Sequence, residues 1–294
     1  MAHAPRRRRL LQAAAFASLA AGAGWAGSMP QEPVAMTRLE ELEKAFGGRL
    51  GLFALDTGSG ASLGYRDAER FPLCSTFKVM AAAALLRASE RRPGLLAQRV
   101  HYRQSDLVEY SPLTEGHVDD GMTVAALCAA AIQYSDNTAA NLLLQVLGGP
   151  DEVTAFTRSI GDARFRLDRW ETALNSAIPG DPRDTSTPAA MATSLQRLVL
   201  GEALAPAQRS LLRDWLRGNT TGAARIQAAL PARWIIGDKT GTGSYGTAND
   251  VAVLWPLRRA PIVLAIYSTH PQEDAKGRSD IVAAAARIAV DWMG

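Results

Sequence analysis

The chain has 294 residues, of which 47% are hydrophobic and 21% charged, the balance of a globular protein that is long enough to bury a large core. Its formal net charge is +3, but Arg6 to Arg9 supply four positive charges and residues 1–26 contain no acid. The rest of the chain is therefore nearly neutral, which gives no reason to expect a nucleic-acid partner.

Residues 1–26 have the pattern of a signal peptide. An apolar, alanine-rich stretch from Leu10 to Trp25 follows the arginines and ends at small residues suited to cleavage. The stretch is short for a membrane-spanning helix. The arginines resemble a twin-arginine export signal, and a basic Sec signal is the equal alternative. We therefore expect residues 27–294 to form one domain that is soluble in the periplasm, with no membrane attachment after the leader is removed.

The elements after the leader predict an α/β fold. A capping box at Thr37–Glu40 predicts a helix from about Met36 to Phe46, and a hairpin pattern follows. The middle of the chain is rich in Ala and Leu at helical spacing, and the last part returns to apolar strands and a closing helix. The predicted strands are 49–56, 61–66, 233–238, 248–255 and 262–268, and the predicted helices are 36–46, 77–89, 123–134, 138–147, 151–160, 188–200, 206–217 and 280–292.

This order predicts an α/β/α sandwich with a mostly antiparallel sheet formed by both chain ends. The terminal helices should cover one face of that sheet and the central helices the other. We expect a sheet subdomain of about 36–70 and 219–294 and an all-helical subdomain of about 71–218. Residues 162–186 show no helical or strand period, and so long an irregular loop in a compact domain is usually functional.

Three short motifs carry candidate chemistry, although each is weak alone. Ser75-Thr-Phe-Lys78 opens an apolar helix, where a half-buried lysine on the same face could activate the serine, or could simply be an amphipathic helix residue. Ser135-Asp136-Asn137 lies between two predicted helices, where a helix cap is the simpler interpretation. Lys239-Thr240-Gly241 ends a predicted strand and could be an exposed strand end or a ligand-binding edge.

Together the motifs are specific. Ser-x-x-Lys, Ser-Asp-Asn and Lys-Thr-Gly occur in this order, 60 and 104 residues apart counted from Ser75 to Ser135 and from Ser135 to Lys239. From about Met36 to Trp292 the chain resembles the class A serine β-lactamases. The resemblance implies hydrolysis of the β-lactam amide of penicillins and cephalosporins, antibiotic resistance, a monomer, and no cofactor or metal.

Glu171 in the irregular loop separates this interpretation from its alternatives. Trp170-Glu171-Thr-Ala-Leu-Asn175 matches the class A motif in which Glu and Asn hold the hydrolytic water, and Arg169 and Asp184 match the ion pair that spans the loop. The alternatives are a D-Ala-D-Ala peptidase that β-lactams inhibit and a β-lactam-sensing domain. Both would stay acylated, and Glu171 argues against the first.

The resemblance also implies a role for each site residue. Ser75 attacks the lactam carbonyl, its proton passes to Lys78 or through a water to Glu171, and the N–H groups of Ser75 and Thr242 stabilise the oxyanion. Ser135 protonates the leaving nitrogen, and Glu171 with Asn175 then activates water. Lys239 is the remaining catalytic candidate, since it raises the local positive field, and with Thr240 and Thr242 it meets the substrate carboxylate. The other substrate-binding candidates are Gly241, Asn137 at the substrate amide, and Tyr110 at the pocket mouth.

Departures from the family pattern concern specificity and the cysteines. Ala248 stands where many class A enzymes have a carboxylate-binding Arg, and Arg225 matches the Arg that some carbapenem-hydrolysing relatives use instead, or is a solvated helix residue. We expect extended-spectrum cephalosporins as substrates and leave carbapenems open. The family's usual disulfide partners of Cys128 and Cys74 are replaced by Ala82 and Gly243, so both thiols should be free. The four His residues show no metal-ligand spacing.

Overall fold

The computed structural model describes the first two residues and then Gln31 to Gly294. The predicted signal peptide therefore lies outside the described residues, apart from its first two. In the described part, no helix is both long and apolar enough to cross a membrane. The helices are α1 (Gln31–Phe46), α2 (Lys78–Ser89), α3 (Val124–Gln133), α4 (Asn137–Leu147), α5 (Pro150–Ser159), α6 (Pro188–Val199), α7 (Pro206–Arg217) and α8 (Ser279–Met293).

One five-stranded sheet is formed by strands from both ends of the described chain. Its strand order is β2-β1-β9-β8-β7, and every pairing in it is antiparallel. Two small ribbons pair β3 with β6 and β4 with β5. The α/β prediction with an antiparallel sheet is confirmed. The strands are β1 (Arg49–Asp56), β2 (Ser62–Tyr65), β3 (Phe71–Pro72), β4 (Arg99–Val100), β5 (Met122–Thr123), β6 (Thr185–Ser186), β7 (Ile235–Gly243), β8 (Thr247–Trp255) and β9 (Ile262–Thr269).

The sheet is covered on both faces, which explains its continuous apolar strands. All eight residues of the central strand β9 are buried. Side chains alternate between faces along a strand, so Val263, Ala265 and Tyr267 join the core shared with the central helices. Ile262 and Leu264 join the second core, which includes residues of α1 and α8. The terminal helices and the central helices therefore cover opposite faces of the sheet, as predicted.

The N-terminal helix begins earlier than the sequence predicts. It starts at Gln31 rather than near Met36, and the capping-box prediction is wrong. Thr37 lies inside the helix, where its hydroxyl donates to the carbonyl of Pro33 at 3.0 Å instead of capping an N-terminus. Proline is tolerated in the first turn of a helix because its missing N–H would have no partner there.

The strand that carries Lys239 also extends further than predicted. Lys239, Thr240 and Gly241 do not end β7, because pairing with β8 continues to Gly243 opposite Thr247. Glycine makes this possible: a Cβ on Gly241 would lie 2.9 Å from the Leu73 carbonyl oxygen. The strand therefore passes directly over the turn that holds Ser75.

The irregular loop predicted at 162–186 is held at its base. Arg169 pairs with Asp184 at 2.5 Å, as expected from the family pattern. The second oxygen of Asp184 accepts the N–H groups of Asp168 and Arg169 at 2.7 and 2.9 Å. Asp184 is buried. One carboxylate thus fixes the two ends of the loop to each other and leaves the segment between them to reach the cleft.

Candidate active site

Ser75 lies on a single 3₁₀ turn, Cys74–Phe77, that leads into α2. Lys78 is the first residue of α2, and its Nζ donates to Ser75 Oγ at 2.9 Å. The spacing of three residues places both side chains on one face, as the sequence indicates. The serine hydroxyl thus has a nitrogen within hydrogen-bond distance before any substrate enters.

Lys78 is fully buried, and its ammonium group is held from four directions. Besides Ser75 Oγ, its Nζ donates to the Ser135 carbonyl and to Asn137 Oδ1, both at 2.7 Å. It also lies 3.0 Å from Glu171 Oε1. Burial lowers the pKa of Lys78, although the Glu171 carboxylate opposes that shift. A lysine with a lowered pKa can exist as a neutral amine and act as a base.

The turn between α3 and α4 brings a second hydroxyl to the same place. Asp136 is the helix cap that its sequence favours: its carboxylate accepts the Ala139 N–H at 2.8 Å and is itself fully buried. Ser135, with a φ of 60°, turns its hydroxyl toward the cations, where it accepts from Lys239 Nζ at 3.0 Å. The helix-cap and the catalytic interpretations of this motif are therefore compatible, because Asp136 is the cap and the adjacent Ser135 supplies the hydroxyl.

Lys239 reaches this hydroxyl from β7. It is fully buried, and its Nζ also donates to the Thr240 carbonyl at 2.8 Å. Burial, together with the nearby Lys78 charge, lowers the pKa of Lys239 well below its usual value. The Thr240 hydroxyl shares a 2.6 Å hydrogen bond with that of Thr221. The motif residues 75, 78, 135 and 239 thus meet around two hydroxyl groups.

Glu171 comes from the irregular loop and lies next to the nucleophile. Ser75 Oγ is 3.4 Å from Glu171 Oε1, and Asn175 Nδ2 donates to Glu171 Oε2 at 2.5 Å. Asn175 Oδ1 is buried and has no hydrogen-bond partner among the described residues. An unpaired acceptor beside a carboxylate is suited to a bound polar group such as water.

Asn141 also contributes to this site, although no sequence motif predicted it. Its side chain accepts the Glu171 N–H and donates to the Glu171 carbonyl, both at 2.9 Å. Asn141 follows Asn137 by one helical turn on α4, so its position on the same face was the available signal. It fixes the backbone that carries the Glu171 carboxylate.

Arg225 is buried beside the cleft, which excludes its interpretation as a solvated helix residue. It is 8% exposed and follows the 219–222 turn. Its guanidinium donates to the Gly241 carbonyl at 2.7 Å, to the Asn249 carbonyl at 2.5 Å and to Thr242 Oγ1 at 2.7 Å. Within the described chain no carboxylate lies within 4 Å of it. Its charge is therefore available to an anion in the cleft.

One cleft of about 800 Å³ lies at this site. Tyr110 lies at its rim and is 58% exposed. Asn137, in contrast, already uses both ends of its amide, since Oδ1 accepts from Lys78 and Nδ2 donates to the Glu109 carbonyl at 2.8 Å. Besides these residues, the cleft is lined by Ser75, Ser135, Thr172, Ala173, Asn175, Ser176, Thr221, Arg225 and residues 240–244.

The two cysteines lie outside the group of residues that meet at Ser75, although Cys74 precedes it in the chain. Cys74 and Cys128 are both buried free thiols, as predicted. Burial raises the pKa of each thiol, so neither is a ready thiolate nucleophile. In the part of the chain that the structure describes, no group of three or more His, Cys, Asp or Glu side chains is placed to hold a metal ion.

Comparison with known proteins agrees with this geometry. Residues 35–293 match the model of the β-lactamase enzyme family. The chain is 60% identical over 255 residues to a carbapenem-hydrolyzing β-lactamase KPC of Klebsiella oxytoca, covering 86% of this chain and 87% of the relative. It is 55% identical over 285 residues to β-lactamase CTX-M-8 of Citrobacter amalonaticus, covering 97% of each.

A solved structure gives the same result. The β-lactamase from Desulfarculus baarsii aligns with a TM-score of 0.88 and 59% identity, covering 90% of this chain and 98% of that one. The chain therefore belongs to the β-lactamase enzyme family and is a class A serine β-lactamase.

Proposed function

We propose that the protein opens penicillins and cephalosporins through a covalent acyl-enzyme on Ser75, which Glu171 and Asn175 then help to hydrolyse. One observation carries the proposal: Ser75 Oγ lies 2.9 Å from Lys78 Nζ and 3.4 Å from Glu171 Oε1. Two groups able to move a proton therefore reach the same hydroxyl, one for each half-reaction.

Acylation begins with the proton of Ser75. Lys78 can pass a proton across 3.0 Å to Glu171, which leaves a neutral amine 2.9 Å from the hydroxyl. Ser75 Oγ then bonds to the lactam carbonyl carbon while its proton moves to Lys78. The N–H groups of Ser75 and Thr242 stabilise the oxyanion, and each such donor contributes about a hundred- to a thousandfold in rate.

Ring opening requires a proton on the lactam nitrogen. Ser135 Oγ accepts from Lys239 at 3.0 Å and lies 3.5 Å from Lys78 Nζ. The proton that Lys78 took from Ser75 can therefore pass to Ser135 as Ser135 gives its own to the nitrogen. The C–N bond breaks, and the acyl group remains on Ser75.

Deacylation uses the other side of the site. Glu171 first returns its proton to the neutral Lys78, 3.0 Å away, and as a carboxylate then takes a proton from a water whose oxygen attacks the ester carbonyl. The unpaired Asn175 Oδ1 and the Glu171 carboxylate supply the two acceptors that would orient that water. The Ser75–acyl bond then breaks, and Ser75 Oγ receives the proton that Glu171 took from the water, which restores both groups.

The cations at the other end of the cleft bind the substrate carboxylate. Lys239, Thr240 and Thr242 lie along β7, and Arg225 donates to Thr242 from behind it. We propose carbapenems as a second substrate class, since a relative that is 60% identical is named for carbapenem hydrolysis. We further propose that the mature protein acts as a monomer in the periplasm, as its leader suggests.

The first test is turnover of a chromogenic cephalosporin by the purified mature protein. Hydrolysis should continue far beyond one equivalent, whereas a burst that stops at one equivalent would indicate a penicillin-inhibited peptidase or a sensor.

The second test separates the two half-reactions. Glu171→Ala should acylate and then release product ~10²- to 10⁴-fold more slowly, because it lacks the base that activates water. Intact mass should show one β-lactam on Ser75. Glu152→Ala, an exposed glutamate on α5, is the matched control. An unmodified Glu171→Ala protein would contradict the division of roles.

A further inference from the structure

Two buried aspartates lie on the far side of the strand that carries Lys239. Asp238 on β7 is 3% exposed, and Asp250 on β8 is fully buried. The strand register pairs Asp238 with Ala252 and Asp250 with Thr240. The two carboxyl groups are therefore diagonal neighbours on one face of the sheet, close enough for their side chains to meet.

Neither carboxyl group has the partners that two buried charges require. Asp238 Oδ2 accepts from Asn219 Nδ2 at 2.6 Å, and Asp250 Oδ2 accepts the Ile226 N–H at 3.1 Å. Asp250 Oδ1 is buried with no hydrogen-bond partner in the described chain, and no cation lies within 4 Å of either group there. Two ionised carboxylates in such a site would repel each other and lack solvation.

We propose that Asp238 and Asp250 share one proton and act as a single buried anion that positions Lys239 and Arg225 for the substrate carboxylate. The inference rests on the binding role proposed above for those two cations. Asp250 Oδ1, the atom without a donor, carries the proton and donates it to Asp238. The carboxyl pair is a positioning pair, since Arg225 lines the cleft and neither aspartate does.

The local electrostatics support a pair with one negative charge at neutral pH. Burial, and then the adjacent Asp238 charge, raises the pKa of Asp250 well above its usual value. Burial raises the pKa of Asp238 to about 6, against the effect of the Asn219 hydrogen bond. Both shifts favour one proton and one negative charge on the pair near neutral pH, as expected for carboxyl groups that titrate together.

One anion, rather than two or none, suits the cations in front of it. Arg225 makes hydrogen bonds only to neutral groups in the described chain, and Lys239 has another ammonium group nearby. A single charge favours both cations without drawing either into a direct ion pair away from the cleft. The charged and titratable groups around Lys239 and Arg225 are Lys78 of α2, Cys74 of the turn before it, Asp238 of β7 and Asp250 of β8.

Thermal stability as a function of pH tests the shared proton without any activity. Asp250→Asn offers an amide N–H in place of the acid proton and keeps the Asp238 charge. The unfolded wild type ionises Asp250 above pH ~4 while the folded protein retains the proton, so stability is lost as pH rises. The Tm of Asp250→Asn should therefore rise relative to that of the wild type as the pH increases from 5 to 8. Asp274→Asn, at an exposed site, is the control.

A Tm difference that does not change with pH would overturn the shared proton. The effect on the cations needs the double variant Asp238→Asn with Asp250→Asn, which removes the anion. Its KM for a carboxylate-bearing β-lactam should rise ~10-fold or more with a smaller change in kcat, whereas Asp250→Asn alone should change KM much less. The basic limb of kcat/KM should also move to lower pH in the double variant, because Lys239 loses a favourable charge.

The double variant and Asp250→Asn could instead have equal KM values and equal basic limbs in their pH profiles of kcat/KM. That result would show that the anion does not act through the cations. Arg225→Gln separates the two proposals. If it leaves KM unchanged, the binding role proposed for Arg225 fails, while the pH dependence of Tm still decides whether Asp238 and Asp250 share a proton.

Discussion

Two fully buried lysines meet at the Ser135 hydroxyl, 3.5 Å from Lys78 and 3.0 Å from Lys239. Each ammonium group has lost most of its water, and each disfavours the charge of the other. The pKa of Lys78 is lowered mainly by burial, with Glu171 opposing. The site therefore prepares a lysine that can give up its proton, which a solvated lysine could not do at neutral pH.

Replacing Lys78 by a side chain that keeps its charge tests this role. Lys78→Arg cannot lose its proton at any accessible pH, so acylation should slow by ~10²- to 10⁴-fold. The rate of acylation by a chromogenic cephalosporin in a single-turnover experiment measures the loss directly. Lys276→Arg, at an exposed position, serves as the control. An acylation rate within a few-fold of the wild type would assign the proton to Glu171.

We expect the loss of the Asn141 side chain to slow deacylation selectively. Asn141→Ala removes both hydrogen bonds to the Glu171 backbone and leaves the carboxylate less well placed for water. We expect deacylation to slow by at least ~10-fold, which corresponds to about 1.4 kcal/mol and lies within the combined contribution of two hydrogen bonds of about 1 kcal/mol each. Accumulation of acyl-enzyme by intact mass during turnover is the measurement. A lower acylation rate with no accumulation would be the contrary result.

At the scale of elements, the end of β7 and the irregular loop are in direct contact. The Ser244 N–H donates to the Asn175 carbonyl at 3.0 Å. A Cβ on Gly243 would lie 2.7 Å from both that carbonyl oxygen and Cys74 Sγ. Glycine therefore lets strand, loop and nucleophile turn approach one another, and their approach sets the width of the cleft on this side.

This close approach predicts that Gly243→Cys forms a disulfide with Cys74. The new Cβ would lie near the Cys74 sulfur, as a bridge requires, while the Asn175 carbonyl would have to shift. Oxidation should add about 2–4 kcal/mol to the free energy of unfolding. Thiol labelling of unfolded, unreduced protein should find one reactive thiol, that of Cys128. Three labelled thiols would show that the geometry does not allow the bond.

At the scale of the molecule, the surface carboxylates favour stability at neutral pH. The Arg183 side chain holds the pKa of Asp181 at about 2, and hydrogen bonds from Arg49 and Arg66 lower that of Glu69 despite partial burial. A carboxyl group whose pKa is lowered by folding stabilises the fold at pH values above its pKa in the unfolded chain, which is near 4. That contribution is lost as pH falls toward about 2.

We therefore expect the Tm to fall between pH 5 and pH 2.5. Asp181→Asn should show a shallower fall than the wild type, because it has no proton to take up at this position. Calorimetry at a series of pH values measures both curves. Parallel curves for the two proteins would show that the Asp181–Arg183 pair does not contribute to acid sensitivity.

The sequence by itself determined the order of elements, the antiparallel sheet and the family. Apolar strand runs and Ala- and Leu-rich helices are local signals, and the Ser75, Ser135 and Lys239 motifs lie within a few residues each. The helix limits were close because proline and capping residues mark them locally, as at Pro188 and Pro206. The helix start predicted at Thr37 was wrong because a capping motif can also occur inside a helix.

Only the tertiary structure decided which side chains share a site with these motifs. The sequence allowed two interpretations of Arg225, a solvated helix residue or a substrate-binding residue. Its burial under β7 decides between them, and burial depends on elements distant in the chain. Asn141 and the Asp238–Asp250 pair carry no motif, and their roles arise from contacts across helix, loop and strand. Local sequence encodes the elements, but the environment of a charge is set by everything that packs around it.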